Sequence, residues 1–397
     1  MEEIIYLDNA ATTKIRPGVV EAMLPYLTEE YGNPSSVYSL AARSRNAISG
    51  ARERIAESLG AKPEEIYFTA GGSEADNWAL KSVAEANREK GNHIITTKIE
   101  HHAILHTCEY LEQMGYEITY LGVDEAGRVN ISELRKAIRA TTILISVMAA
   151  NNEIGTLEPI KEIGQIAKEH NIYFHTDAVQ AYGQIPISVE ECHIDLLSAS
   201  GHKLNGPKGV GFLYIRRGVR IGSFLHGGAQ ERKRRAGTEN VSGIVGLGKA
   251  VELAFADLEE RAKRERELRD YLMDRIMSEI PYTRINGDRT NRLPNNANFS
   301  FQFIEGESLL IMLDIKHICA SSGSACTSGS SKPSHVLVAI GLPEEIAHGS
   351  LRLTLGFETT KEEIDKTVDA VKEIVEKLRG MSVLYEEFLQ KHSENKK

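Results

Sequence analysis

Lys203 follows Asp177 by 26 positions, and each sits in a short polar stretch: His175-Thr176-Asp177-Ala178-Val179-Gln180 and Ser200-Gly201-His202-Lys203. A lysine amine condenses with an aldehyde, and a carboxylate keeps a pyridine nitrogen protonated so that the ring accepts electrons. Together these are the two groups that pyridoxal phosphate requires of a protein. A lone lysine is ordinarily a solvated surface charge. Lys203 has a different setting, between the apolar run Ile194-Asp195-Leu196-Leu197-Ser198-Ala199 and the glycine-rich Gly206-Pro207-Lys208-Gly209-Val210-Gly211.

Other residues complete such a site. Ala70-Gly71-Gly72-Ser73-Glu74 follows a strand-like run and opens a helical one. Glycines let backbone amides approach an anion, and a serine N-cap leaves the helix dipole facing it. With Ser200 and His202, Gly72 and Ser73 form a candidate phosphate cup. Asn152, also after a strand, is placed to bond a ring hydroxyl or a substrate carboxylate, although such an asparagine more often only turns the chain. His101 falls at another strand-to-helix junction, where an imidazole can stack on a pyridine and move protons near neutral pH. Taken alone, a histidine there more often caps a helix or faces solvent.

The second reactive group is Cys326. It lies in Ser321-Ser322-Gly323-Ser324-Ala325-Cys326-Thr327-Ser328-Gly329-Ser330-Ser331, where every residue but Ala325 and the cysteine is Ser, Gly or Thr. Structural cysteines sit in apolar runs, as Cys319 does in His317-Ile318-Cys319-Ala320. A thiol among small polar residues is expected to be exposed and reactive, and Lys332 and His335 nearby would raise its thiolate fraction. A thiol beside an electron sink implies sulfur abstraction: the thiolate attacks the sulfur of a bound cysteine and keeps it as a persulfide.

The elements that must position these groups are legible in outline. The 397 residues suffice for two domains, and 41% hydrophobic with 26% charged residues is ordinary globular composition. A net charge of −9 argues against binding nucleic acid by phosphate neutralisation. The basic clusters Arg216-Arg217 and Arg232-Lys233-Arg234-Arg235 read equally as solvated loops or as a face for a partner or a phosphate. The acidic N-terminus has no signal-peptide core and no stretch reaches membrane-spanning length, so a cytoplasmic location is expected. Four scattered cysteines (Cys108, Cys192, Cys319, Cys326) exclude a disulfide framework. His102 and His106 lack a third ligand, so no metal is expected.

β-branched runs at 66–69, 93–97, 142–147, 172–175, 194–198 and 210–215 alternate with helical patterns near 74–90, 102–114, 131–139 and 159–170. That rhythm predicts an α/β fold with a mostly parallel sheet covered on both faces, its ligands beyond the carboxyl ends of the strands. A long charged helix is predicted over 243–280, with 261–267 on a solvated face. Strands near 297–303 and 350–355 follow, then a closing helix over 360–379 and a frayed, charged tail.

Taken together, these motifs resemble the cysteine desulfurases of the class V aminotransferase group, sulfur donors for iron–sulfur cluster assembly. The resemblance runs from Tyr6-Leu7-Asp8-Asn9-Ala10-Ala11-Thr12-Thr13 to about Ser382, through Tyr31-Gly32-Asn33-Pro34-Ser35-Ser36, His226-Gly227-Gly228, Arg235-Ala236-Gly237-Thr238 and Leu351-Arg352-Leu353. It implies the type I fold of pyridoxal-phosphate-dependent transferases: a large domain over 13–261 with a mostly parallel seven-stranded sheet, and a smaller α+β domain from 1–12 and 262–397 that carries the catalytic cysteine loop. It also implies a homodimer. By the same resemblance Lys203 bonds the cofactor, Asp177 pairs with the ring nitrogen, Gln180 and Asn152 meet the ring hydroxyl, and His101 stacks on the ring. Gly72, Ser73, Ser200 and His202 hold the phosphate, and Thr238 reaches it from the other subunit. Arg352, assisted by Asn33, takes the substrate carboxylate, and Cys326 forms the persulfide. Handover of sulfur to a scaffold or another acceptor is implied, with Cys326 available as an iron–sulfur ligand in such a complex. Tyr38, Gly72, His102 and Ala229 depart from the commonest family pattern without removing a reactive group. A selenocysteine lyase or a related lyase or aminotransferase is the rival reading, and a non-catalytic scaffold the more distant one.

Overall fold

The computed structural model describes residues 4–322 and 333–394. The central sheet collects seven strands: β2 (Ile66–Thr69), β3 (His93–Thr97), β4 (Glu117–Leu121), β5 (Thr142–Ser146), β6 (Tyr173–Asp177), β7 (Leu196–Ser200) and β8 (Gly211–Ile215), in the order β2-β8-β7-β6-β5-β3-β4. Neighbours pair in parallel except at β8, which runs antiparallel to both β7 and β2. Six strands therefore point one way, and their carboxyl ends share one edge. Strands buried on both faces read as continuous apolar runs, which is why six of them were visible in the sequence. The seventh, β4, is the half-exposed edge strand, with a pattern too polar to stand out.

Helices cover both faces. Ser39–Leu59, Ile160–Glu169 and Val241–Ala256 pack on one side, with Ile55, Ile163 and Leu247 in its core. Gly72–Ala86 and His102–Gln113 cover the other, around Trp78, Ile104 and Leu111. A separate core draws Ile5 and Leu7 together with Leu272, Phe299, Leu353 and Val371. There β1 (Ile5–Tyr6) runs parallel to β11 (Ile318–Cys319), and β10 (Asn296–Phe301) lies between β9 (Thr283–Ile285) and β12 (Ser350–Thr354), antiparallel to both. We propose the domain division 13–261 against 1–12 plus 262–397 on the strength of this second core.

Three expectations need correction. The predicted single helix over 243–280 is two, Val241–Ala256 and Leu258–Glu279, broken at Asp257 (φ −123°, ψ 15°). Arg261 explains the break. It is only 7% exposed, and its guanidinium turns inward to the carbonyls of Ala254 and Gly183 and to Gln184, a cation satisfying the end of the preceding helix. The 261–267 stretch is accordingly not a uniformly solvated face, for Glu265 is buried as well. Nor is the tail simply frayed. Val383–Glu394 is helical, and Phe388 packs its ring 5.0 Å from Tyr282 and 4.9 Å from Phe303.

Candidate active site

The site lies on the shared carboxyl edge of the sheet. β7 ends at Ser200, and a single 3-10 turn, Gly201–Lys203, carries the lysine back toward the N-terminal segment. Lys203 Nζ donates to the carbonyls of Ala10 and Ala11. Gln180 Nε2 also donates to Ala10, at 3.0 Å, so 177–180 and 203 converge on one stretch of backbone.

Asp177 closes β6. One carboxylate oxygen accepts from the Val179 N–H at 2.9 Å. Burial pushes its pKa up to about 6, while the Val179 N–H and the Lys203 charge pull it down. Lys203 is thus within electrostatic reach of Asp177, and of His101 as well. His101 caps the His102–Gln113 helix, its Nδ1 accepting from Ala103 N at 3.1 Å. Burial first, then the Lys203 charge, lowers its pKa to about 4. The ring is therefore neutral at pH 7, and because Nδ1 accepts, the proton resides on Nε2. The capping role is real, and it fixes the tautomer.

The anion cup is a cleft of about 470 Å³ lined by Thr12, Ala70, Gly71, Gly72, Ser73, Glu74, Ser200, His202, Lys208 and Gly209. All four residues predicted for the phosphate within one chain are in it. Ser73 is not the N-cap, however. That position is Gly71 (φ 154°, ψ −175°), and Ser73 lies inside the first turn. Gly72 is packed so closely that a Cβ there would sit 2.6 Å from Val179 Cγ2. The close approach of backbone to cleft, with helix amides facing it, suits a phosphate. His202 Nδ1 lies 3.1 Å from Thr12 Oγ1, and burial lowers the His202 pKa to about 4. Thr12 and Lys208 were missed in the sequence, where the 6–13 stretch had matched a family motif without an assigned role.

Arg352, in the middle of β12, is 3% exposed. Nη1 donates to the Asn152 carbonyl at 2.9 Å and Nη2 to Asp8 Oδ1 at 3.0 Å. Its Nε–H is buried with no partner among the described residues. Buried donors are almost always paired, so this one marks a place for an acceptor that none of the described residues supplies. Asp8 is a third residue that the sequence alone did not single out. Asn152 meets Arg352 through its backbone.

Two predicted residues line neither the cup nor the Arg352 site within one chain. Thr238 is exposed and lines a cavity of about 210 Å³ with Gly237 and Arg235 that adjoins the cup, sharing Ala70 and Gly209 with it. Asn33 is exposed, its Oδ1 accepting from Ser35 N at 2.9 Å, and no described contact joins it to Arg352. Cys326 falls outside the described residues. What flanks that gap is described: Ser321 exchanges backbone hydrogen bonds with Arg352 at 3.2 and 2.6 Å. On the other side, Ser334 donates to Glu153, and His335 Nε2 lies 3.0 Å from the Glu100 carbonyl. The His102 ring centroid is 5.0 Å from His106 and 4.9 Å from His335. Among the described residues no group of three or more His, Cys, Asp or Glu side chains is arranged to hold a metal ion.

Known proteins share this arrangement. The family model described as "Aminotransferase class-V" matches residues 5–367. A protein named "Cysteine desulfurase IscS" from Methanosarcina thermophila is 62% identical over 380 residues, covering 96% of this chain and 94% of that one. One of the same name from Clostridium botulinum is 55% identical over 99% of this chain and 100% of that one. Among solved structures, a "NIFS-LIKE PROTEIN" superposes with a TM-score of 0.89 at 40% identity, covering 94% of this chain and 100% of that one. "SspA in complex with cysteine" does so with a TM-score of 0.79 at 39% identity, over 88% and 98%. The type I transferase fold of these NifS-like enzymes is the fold described above. By its sequence over nearly its whole length, and by its fold, this chain belongs to the cysteine desulfurases of the class-V aminotransferase family.

Proposed function

We propose that this protein is a pyridoxal-phosphate-dependent cysteine desulfurase that converts L-cysteine to L-alanine and holds the sulfur as a persulfide on Cys326. The observation that carries the reading is the convergence of Lys203, Asp177 and His101 beside an anion cup, with a buried guanidinium N–H on Arg352 that is unpartnered among the described residues. The residues fit the cofactor: an amine, a carboxylate for the ring nitrogen and a glycine-lined helix terminus for the phosphate.

When bound, pyridoxal phosphate supplies the electron sink that stabilises negative charge developing at the substrate's carbon atoms. The chain does the rest. Arg352 orients the substrate carboxylate. Lys203 would hold the cofactor through its amine, and that amine, once released, would serve as a base toward the substrate. His101, a neutral imidazole with its proton on Nε2, can donate that proton and recover it. Asp177 keeps the ring nitrogen protonated. The Cys326 thiolate attacks the substrate sulfur: the new S–S bond forms as the substrate C–S bond breaks, its electron pair stays on carbon, and protonation of that carbon yields alanine. Substrate cysteine plus enzyme thiol thus balances alanine plus enzyme persulfide. The chain reach supports this. Cys326 is four residues past Ser322, about 13 Å of extended chain, and Ser321 is hydrogen-bonded to Arg352 itself.

A homodimer is part of the proposal, since Thr238 is exposed and Val20, Leu24, Leu27, Tyr31 and Val37 form a run of exposed apolar side chains suited to a second copy. The sulfur acceptor is an iron–sulfur scaffold or another thiolation protein. No helix among the described residues is long and apolar enough to cross a membrane, in keeping with a proposed cytoplasmic location.

The test is incubation of the holoenzyme with L-cysteine and a reductant, measuring alanine and sulfide. Cys326→Ser should abolish alanine formation while leaving the cofactor's visible absorbance in place. Full cysteine turnover by that variant would refute the persulfide route and leave the lyase reading in its place.

A further inference from the structure

One face of the sheet carries a buried polar cluster that the residues named above do not account for. Along the three central strands, the face under the Gly72–Ala86 helix is apolar at the amino ends, with Leu144, Tyr173 and Leu196. Two residues further on, where the same face continues, it becomes polar with Ser146, His175 and Ser198, and Asp177 follows His175. The His175 ring is fully buried, its Nδ1 2.9 Å from Ser146 Oγ and its Nε2 3.0 Å from Ser198 Oγ. Asp76 comes down on this column from the helix and is 1% exposed. Its Oδ1 lies 3.7 Å from His175 Nε2 and has no hydrogen-bond partner among the described residues, while the nearby Ser198 hydroxyl favours its charged form. Ser198 is in turn the register partner of Asp177.

The charged and titratable groups facing Asp76 are Asp177, Glu100 and His175. Two buried carboxyl groups that feel each other's charge do not both ionise readily. Asp177 has the Val179 N–H and the Lys203 charge to hold an anion. Among the described residues, what Asp76 has beside it is a serine hydroxyl and an imidazole whose two nitrogens are already engaged.

We infer that Asp76 is a positioning residue for Asp177: through Ser198 and His175 it makes Asp177 the one carboxylate of the buried pair that presents charge to the cofactor's ring nitrogen. The inference rests on the reading of Asp177 as that nitrogen's partner. Burial, which drives Asp76 well above the usual carboxyl range and His175 down to about 3, acts in the same direction. The cluster also ties the ring-binding strand to the helix whose first turn forms the anion cup.

Holoenzyme carrying Asp76→Ala or Asp76→Asn tests this against wild type. For the alanine variant, kcat with L-cysteine should fall about tenfold or more while KM stays within about threefold, the signature of a transition-state effect. The pH midpoint of the bound cofactor's visible absorbance should move by about half a unit or more, and the apoprotein's Kd for pyridoxal phosphate should rise about fivefold. Asparagine, neutral and of the same shape, should restore all three toward wild type. An alanine variant that loses thermal stability but keeps the wild-type midpoint, kcat and Kd overturns the inference, and so does an asparagine variant as impaired as alanine. Should Asp76→Ala not fold, Ser198→Ala breaks the same relay, and an unmoved midpoint there overturns the inference equally. A wild-type protein that develops no visible band with pyridoxal phosphate fails differently, removing the cofactor assignment itself.

Discussion

Arg352→Lys is the sharpest test of how the substrate is held. The guanidinium is 3% exposed and presents three faces at once: Nη1 to the Asn152 carbonyl at 2.9 Å, Nη2 to Asp8 at 3.0 Å, and an Nε–H left for the incoming carboxylate. Lysine keeps the charge but offers a compact ammonium on a flexible stem and no planar fork. It cannot reach Asn152, Asp8 and a substrate together, so at least one charge-assisted hydrogen bond to substrate is lost. Such a bond contributes about 1.5–3 kcal/mol. At about 1.4 kcal/mol per tenfold, kcat/KM should fall by roughly 10- to 150-fold. The interaction orients the substrate throughout the reaction, so most of the loss should appear in KM, with kcat changed by less than about threefold. The assay is alanine formation over a range of L-cysteine concentrations, with thermal unfolding as a control because Asp8 loses its partner too. A KM within twofold of wild type would refute the assignment of Arg352, as would a loss confined to kcat.

Two further outcomes follow from the packing and the buried charges. Gly72→Ala should weaken pyridoxal phosphate binding by about tenfold in a cofactor titration, because the added Cβ would meet Val179 Cγ2 at 2.6 Å and push the cup open. Glu158 is buried, one oxygen accepting from Val129 N and the other unpaired among the described residues, and burial raises its pKa to about 8. A carboxyl group with a raised folded-state pKa stabilises the fold fully only below its usual value near 4.5, and that stabilisation is lost as pH climbs to about 8. Urea unfolding should therefore show Glu158→Gln gaining on wild type between those limits, with no further change above; a difference independent of pH would contradict it.

Much of the site was readable because its chemistry has few solutions. An acid and a lysine at two strand ends, glycines before a helix, and a cysteine among small polar residues are local patterns, and parallel strands guarantee that their carboxyl ends meet on one edge. The mostly parallel sheet covered on both faces followed from the same alternation, since continuous apolar runs report full burial directly, whereas the type I architecture was implied by the family resemblance. The polar edge strand β4 and the Ser39–Leu59 helix left weaker traces, the first because an edge is half solvated. Arg261 was misjudged because a charged residue in a charged run looks solvated until a neighbouring helix end needs its donors.

What only the tertiary structure decided are relations between residues far apart in the chain. The carbonyls of Ala10 and Ala11 receive Lys203, Asp8 pairs with an arginine 344 positions away, and Asp76 descends from the cup helix onto the strand face beneath Asp177. Sequence determines which groups exist and which way a strand alternates. Which of them face one another, and so which carboxyl keeps its proton and which histidine stays neutral, depends on burial and on distances of a few ångströms. Those are set only when the N-terminal segment, the sheet and the second core close on each other.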